Sequence, residues 1–146
     1  MFRTILVPTD FSDHARAALD VALGLASESK ATVHLLHAYE IPISAVPPYG
    51  VELPPGLILE VRDAAARSLE KVAAEVRGRG VTCEAHLIHG PPVDGIIEAA
   101  TSVGADLIVM GTRGLTGFKH VLLGSVAERT IRTAPCPVLS VKPKAK

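Results

Sequence analysis

Short apolar runs alternate along the chain with longer segments in which apolar residues recur every three or four positions. The short runs are rich in Val, Leu and Ile, which is typical of buried strands, and the longer segments have the period of amphipathic helices. The predicted strands cover residues 3–8, 32–38, 81–88, 106–110 and 138–141. The predicted helices cover residues 13–26, 57–77, 91–102 and 126–132, and Ser12 is the expected cap of the first.

This regular alternation of strand and helix predicts one α/β domain over residues 1–146, with a five-stranded parallel sheet and helices on both faces. Right-handed crossovers leave few strand orders. If the order is 3-2-1-4-5, the direction in which strands are added to the sheet reverses between the first and fourth strands. In such sheets, ligands bind at this point, beyond the carboxyl ends of the strands. The first strand ends in Pro8-Thr9-Asp10 and the fourth leads into a glycine-rich loop, so these two segments would share one crevice.

One connection is unusually long. The segment at about residues 40–56 contains five prolines and no helical or strand-like pattern. Loops of this length inside a compact domain often act as lids or interaction segments. A variable surface excursion without a role is the alternative, and the sequence does not decide between them.

Composition and charge narrow the class of partner. The chain has 146 residues, of which 48% are hydrophobic and 3% aromatic, and its 15 basic side chains equal its 15 acidic ones. A neutral balance gives no reason to expect nucleic acid or an anionic membrane as a partner. No apolar run has membrane-spanning length and no signal peptide precedes the first strand. Cys83 and Cys136 show no pairing pattern, so we expect a cytoplasmic protein with free thiols.

The candidate chemistry centres on the loop that follows the fourth strand. Gly111, Gly114 and Gly124-Ser125 form a G-x2-G-x9-G-S pattern that ends where the next helix begins. Backbone N–H groups at glycines can approach phosphate closely, and a helix start attracts anions. The spacing differs from the P-loop and from the Rossmann fingerprint. Ser125 could cap the helix, bind phosphate, or both, while an ordinary surface loop is the alternative for the whole pattern.

The sequence gives weaker indications of a binding role for other side chains near the predicted crevice. Asp10 could contact ribose hydroxyls or a metal, or it could simply stabilise a turn; Thr9 and Arg113 are candidate nucleotide and phosphate contacts. The six histidines show no paired spacing on a helix, so no metal ligands are predicted. No G-x-S-x-G elbow occurs and no catalytic residues can be assigned. The pattern therefore favours binding a nucleotide over transforming it.

The chain resembles the universal stress protein family of the ATP-binding kind. The resemblance covers nearly the whole chain and is most specific over residues 111–126 and 134–141, with further matches over residues 5–12, 33–38 and 105–111. It implies the 3-2-1-4-5 sheet, ATP in the crevice, and Mg or Mn on the phosphates. The nucleotide contacts that it implies are Pro8, Thr9, Asp10, Ala38, Met110, Gly111, Arg113, Gly114, Gly124, Ser125 and Val126.

The resemblance implies a regulatory or stress-response module with slow or no ATP hydrolysis, whose partner proteins the sequence does not identify. An enzyme of the related adenine-nucleotide hydrolase fold, which adenylates a substrate or splits ATP, is the alternative. The loop Pro8-Thr-Asp-Phe-Ser12 differs from the Ser-Gly-Gly-x-Asp-Ser loop that such enzymes share, which argues against it. The family resemblance and the apolar edge strand 137–141 both favour a homodimer paired along that strand.

Overall fold

The computed structural model describes residues 1–41, 54–113 and 123–144. Nine elements alternate along the chain as predicted, with bounds that differ from the sequence expectation by three residues at most. The strands are β1 (Thr4–Pro8), β2 (Thr32–Tyr39), β3 (Cys83–His89), β4 (Leu107–Gly111) and β5 (Val138–Val141). The helices are α1 (Asp13–Ser29), α2 (Pro55–Gly78), α3 (Pro92–Val103) and α4 (Ser125–Thr133). Most of the proline-rich segment, residues 42–53, lies outside the described residues.

The five strands form one parallel sheet in the order β3-β2-β1-β4-β5. The predicted fold class and strand order are confirmed. β1 lies at the centre, where Ile5 is paired with Val33 on β2 and with Leu107 on β4. After β1 the chain adds β2 and β3 on one side of β1, and it later adds β4 and β5 on the other side. The strand order therefore reverses between β1 and β4.

Helices cover both faces of the sheet. One buried cluster joins α1 and α2 to the sheet through residues such as Leu19, Leu69 and Val33. The second cluster, which includes Leu36 and Ile96, joins α3 and α4 to the opposite face. β1 and β4 lie between the two clusters, so their carboxyl ends emerge in the middle of the molecule rather than at an edge.

Local signals in the sequence explain where α1 begins. The Ser12 hydroxyl accepts a hydrogen bond from the Ala15 N–H at 3.2 Å, which is the predicted N-cap. The cap fixes the first turn of α1 directly behind the exit of β1.

Two further expectations concern the membrane and the cysteines. Among the residues that the structure describes, no helix is long and apolar enough to cross a bilayer. Cys83 and Cys136 are free thiols, and burial raises the pKa of both. Each thiol is therefore held in its protonated, poorly nucleophilic form.

Candidate functional site

The site lies where β1 and β4 end side by side. The two strands run parallel, with Leu6 paired to Ile108. After Pro8 the chain turns toward α1 on one face of the sheet, and after Gly111 it proceeds toward α4, which packs on the other face. The two connections leave toward opposite faces of the sheet, and in folds of this kind such a point at the carboxyl edge of the sheet forms the ligand crevice.

The turn that leaves β1 is held by its own side chains. The Phe11 N–H donates to the Thr9 hydroxyl at 3.1 Å, and the Ser12 N–H donates to Asp10 Oδ1 at 3.0 Å. Asp10 thus stabilises a turn, as one of the two sequence interpretations proposed. The same hydrogen bond ties the Asp10 carboxylate to the start of α1, directly after the carboxyl end of β1. Phe11 has a φ of 65°, a conformation that is uncommon outside glycine.

β2 supports this turn from the side. The Thr9 N–H donates to the Leu36 carbonyl at 2.8 Å, and His37 Nδ1 lies 2.8 Å from the Thr9 carbonyl. Because a carbonyl only accepts, Nδ1 of His37 donates this hydrogen bond. The Phe11 ring lies 4.5 Å from the His37 ring. Neither Phe11 nor His37 was among the predicted site residues, since neither belongs to a motif of its own.

Ala38 occupies the position on β2 where the strand passes the end of β1. The Leu36 carbonyl faces β1, where it accepts from Thr9, and the Tyr39 carbonyl faces β3, where it accepts from Gly90. Since strand residues alternate in direction, the backbone of Ala38 faces the β1 side. The last β1 residue, Pro8, is paired with Leu36, two residues earlier. The Ala38 carbonyl is therefore directed into the crevice beyond β1.

A close contact between backbones explains the glycine that ends β4. A Cβ atom on Gly111 would lie 2.8–2.9 Å from the backbone and Cβ of His14, in the first turn of α1. Only glycine allows this approach. The next residue, Thr112, reinforces it, because its hydroxyl lies 3.3 Å from His14 Nδ1. Thr112 also accepts a hydrogen bond from the Gly124 N–H through its carbonyl, so the start of α4 is tied to the exit of β4.

The amino end of α4 has the properties of an anion site. Gly124 is the N-cap residue and has no side chain with which to cap the helix. The first bond inside the helix is donated by the Glu128 N–H to the Gly124 carbonyl. The N–H groups of Ser125, Val126 and Ala127 precede it and have no acceptor within the helix. Ser125 is the first helical residue rather than the cap, and its side chain is exposed.

Charges of both signs converge near the same point. The pKa of His14 is lowered from its usual 6.5, first by burial and then by the positive charge of Arg113, while the Asp10 and Asp13 carboxylates act in the opposite direction. Arg113 and Asp10 are therefore both close enough to influence one imidazole. At neutral pH the site contains a guanidinium, carboxylates and a neutral histidine.

The structure brings most of the predicted residues to this crevice. Those at the three strand exits and at the helix start are Pro8, Thr9, Asp10, Ala38, Gly111, Arg113, Gly124, Ser125 and Val126. Met110 also lies at the end of β4, but its side chain packs in the core below α3 and α4 and is 4% exposed. Gly114 lies outside the described residues. His14 and Thr112 were missed by the sequence reasoning.

Comparisons with known proteins identify a family and a shared fold. The profile of the universal stress protein family matches residues 1–142. A universal stress protein of Thermus aquaticus is 42% identical over 144 residues, which cover 97% of this chain and 100% of the relative. The solved structure of MJ0577, which is a universal stress protein of Methanocaldococcus jannaschii, superposes with a TM-score of 0.85 at 32% identity. The match covers 100% of this chain and 99% of MJ0577.

Two of the similar structures were solved with adenine nucleotides. One is a universal stress protein in complex with cAMP, with a TM-score of 0.71, 28% identity, and coverage of 96% of this chain and 97% of that one. The other is the universal stress protein from Archaeoglobus fulgidus in complex with dAMP. It has a TM-score of 0.67, 28% identity, and coverage of 94% of this chain and 96% of that one.

Proposed function

Since this chain belongs to the universal stress protein family, we propose that it binds ATP in the crevice between β1 and β4 and acts as a stress-response module in the cytoplasm. Bound ATP is held with slow hydrolysis or none, and the occupied crevice is the regulatory signal. The observation that carries the proposal is the amino end of α4, which has no side-chain cap at Gly124 and is tied to the exit of β4.

The phosphates of ATP fit the start of α4. The backbone N–H groups of Ser125 and Val126 and the positive end of the helix dipole favour an anion there. The exposed Ser125 hydroxyl can donate a further hydrogen bond, and Arg113 adds a positive charge on the β4 side of the crevice. This combination of hydrogen-bond donors and positive charge favours an anionic group such as phosphate over a neutral one.

The ribose and adenine fit the β1 and β2 side. Asp10 can accept hydrogen bonds from ribose hydroxyls, because it follows the carboxyl end of β1, beside which the ligand is proposed to bind. The Ala38 carbonyl can accept from an adenine amino group, which guanine does not carry at the corresponding position. The cAMP and dAMP complexes of similar proteins support an adenine ligand in this fold.

Mg or Mn would enter with the phosphates rather than occupy a site made by the protein alone. Oxygen ligands suit these ions, and Mg²⁺ is commonly bound by phosphates, water and one or two carboxylates. Asp10 is the carboxylate that the β1 turn places at the crevice, so the donor set fits a nucleotide-bound ion. Such an ion neutralises phosphate charge when ATP is bound.

We also propose that two chains pair along β5. This strand lies at the edge of the sheet and is hydrogen-bonded to β4 on one side. On this edge strand Leu139 is 39% exposed. An antiparallel pair of β5 strands about a two-fold axis would satisfy both edges with one self-complementary surface.

The first experiment identifies the ligand that the protein binds. Protein purified without added nucleotide is denatured, and the released small molecules are identified by mass spectrometry. Calorimetry with ATP and GTP in the presence of Mg²⁺ then measures selectivity on the emptied protein. We expect ATP to be released and to bind more tightly than GTP. Equal affinity for the two nucleotides, or no binding of either, would contradict the proposal.

A matched pair of substitutions tests the position of the ligand. Asp10→Asn removes the charge but keeps an oxygen that can accept from Ser12, so the turn should persist. A hydrogen bond to a charged group contributes about 1.5–3 kcal/mol, and we expect ATP affinity to fall by about 10-fold or more. Asp13→Asn, on the exposed first turn of α1, is the control and should bind ATP as the wild type does. An equal loss in both variants would place the ligand elsewhere.

A further inference from the structure

Two histidines and a glutamate meet on the sheet away from the proposed ATP crevice. His34 on β2 is paired in register with Glu84 on β3, and His86 follows two residues later on the same strand. Their side chains lie on the face that carries Leu36, which packs with α3 and α4. The cluster lies roughly 13 Å along β2 from Ala38, at about 3.3 Å per residue.

The distances within this cluster are close to those of a coordination site. His34 Nδ1 lies 2.9 Å from His86 Nε2 and 3.6 Å from Glu84 Oε2. One ligand atom from each residue lies within 4.8 Å of the others. A tetrahedral Zn²⁺ with ligand bonds of 2.0–2.2 Å separates neighbouring ligand atoms by about 3.3–3.6 Å. Small side-chain rotations would bring the three atoms to that spacing.

The burial of the three side chains leaves access for an ion. His34 is 9% exposed, whereas the Glu84 side chain is 63% exposed and His86 is half-buried. Within the part of the chain that the structure describes, the exposed Glu84 carboxylate leaves the cluster reachable from solvent.

We propose that His34, Glu84 and His86 form a binding site for a divalent ion of the zinc class, independent of the nucleotide crevice. The two imidazole ligands favour Zn²⁺ over Mg²⁺ and Ca²⁺, which prefer oxygen ligands alone. The ion replaces the hydrogen bond between the two imidazoles. The ring that donates this bond moves its proton to its other nitrogen by exchange with solvent, so that His34 Nδ1 and His86 Nε2 each offer a lone pair to the ion. Three protein ligands leave the fourth position to water on the exposed Glu84 side.

The site escapes sequence inspection because its members are far apart in the chain. Helical metal motifs are recognised by close spacing, whereas His34 and His86 come together only through the register of β2 and β3. The prediction of no metal ligands considered spacing within single elements, where His34 and His37 fall on opposite faces.

The test uses the full chain without a histidine tag, freed of metal with a chelator and kept free of nucleotide. Calorimetry with Zn²⁺ should show one ion per chain, and Co²⁺ should give the visible absorption of a tetrahedral site. His86→Gln and Glu84→Gln should each bind Zn²⁺ at least about 100-fold more weakly, since even outer-shell partners contribute about 10–100-fold. His89→Gln, an exposed histidine on the same strand, is the matched control and should bind normally.

Two results would overturn the proposal. One is the absence of Zn²⁺ binding by the wild type, which would leave a simple hydrogen bond between His34 and His86. The other is unchanged binding in both His86→Gln and Glu84→Gln, which would place the ion elsewhere. Glu84 is exposed, so Glu84→Gln should fold normally, and circular dichroism verifies the fold of each variant.

Discussion

At the scale of single residues, the site depends on contacts that are local and specific. Gly111 allows β4 to approach the first turn of α1, and no residue with a Cβ could replace it without moving His14. The side chains of Thr9 and Asp10 hold the turn between β1 and α1 before any ligand is present. The crevice is therefore preorganised on its β1 side, which reduces the ordering cost of binding.

His14 gives this region a measurable pH dependence. Its pKa is lowered in the folded protein, first by burial and then by Arg113, whereas the unfolded chain titrates near 6.5. Between the folded pKa and pH 6.5 the unfolded state binds more protons, so the free energy of unfolding falls as the pH falls through that window. Above pH 6.5 His14 is neutral in both the folded and the unfolded state, so its contribution to the free energy of unfolding is fully present.

Urea titrations at pH 7.5 and 5.5 check this prediction. We expect His14→Gln to lose less stability between the two pH values than the wild type does, because Gln does not titrate. His89→Gln, which keeps His14, should follow the wild type. An identical loss in wild type and His14→Gln would show that His14 is not linked to folding.

At the scale of secondary-structure elements, β5 offers the clearest prediction. The Pro137 carbonyl accepts from Ile108 on β4, and the Val141 carbonyl accepts from Thr112, which directly follows β4. By alternation, Val138 and Ser140 therefore direct their N–H groups outward. Ser140→Pro removes an outward donor and leaves the β4 ladder intact, since proline is tolerated at strand edges. We expect a dimeric wild type and a folded, monomeric Ser140→Pro.

Light scattering at micromolar concentration measures this change. Ser140→Ala keeps the N–H group and should remain a dimer. A monomeric wild type, or a Ser140→Pro variant that stays dimeric, would show that the chains do not pair along β5.

The elements themselves were predictable from the sequence, and some features of the site were not. Apolar periodicity and helix signals such as Ser12 are local, so the elements and the α1 cap could be predicted. The role of Phe11 and His37 depends on how β2 lies beside β1, and the contact of Thr112 with His14 depends on how α1 packs behind β4. Such pairings are set by tertiary packing, which periodicity does not encode.

At the scale of the whole molecule, the proposed binding of ATP leads to a prediction about its turnover. Efficient hydrolysis needs a base within reach of an attacking water. In the described part of the crevice, Asp10 accepts from the Ser12 N–H, and His14 lies within hydrogen-bond distance of Thr112. We expect an ATP turnover far below the typical enzyme value of about 10 per second.

Steady-state assays of released phosphate and of released pyrophosphate, each with Mg²⁺, measure this turnover. The Asp10→Asn variant serves as a comparison for any residual rate. A wild-type turnover at or above that typical value would contradict a binding module and require a catalytic group in the crevice.

The strand order also has a consequence for synthesis on the ribosome. The central strand β1 is made first, yet its partner β4 is made last but one, since Ile5 is paired with Leu107. Until that part of the chain emerges, the nascent sheet carries an open apolar edge at β1, and such edges invite wrong pairing. The crevice does not exist before β4 is in place. A ligand can therefore stabilise the finished protein, but it cannot guide the early steps of folding.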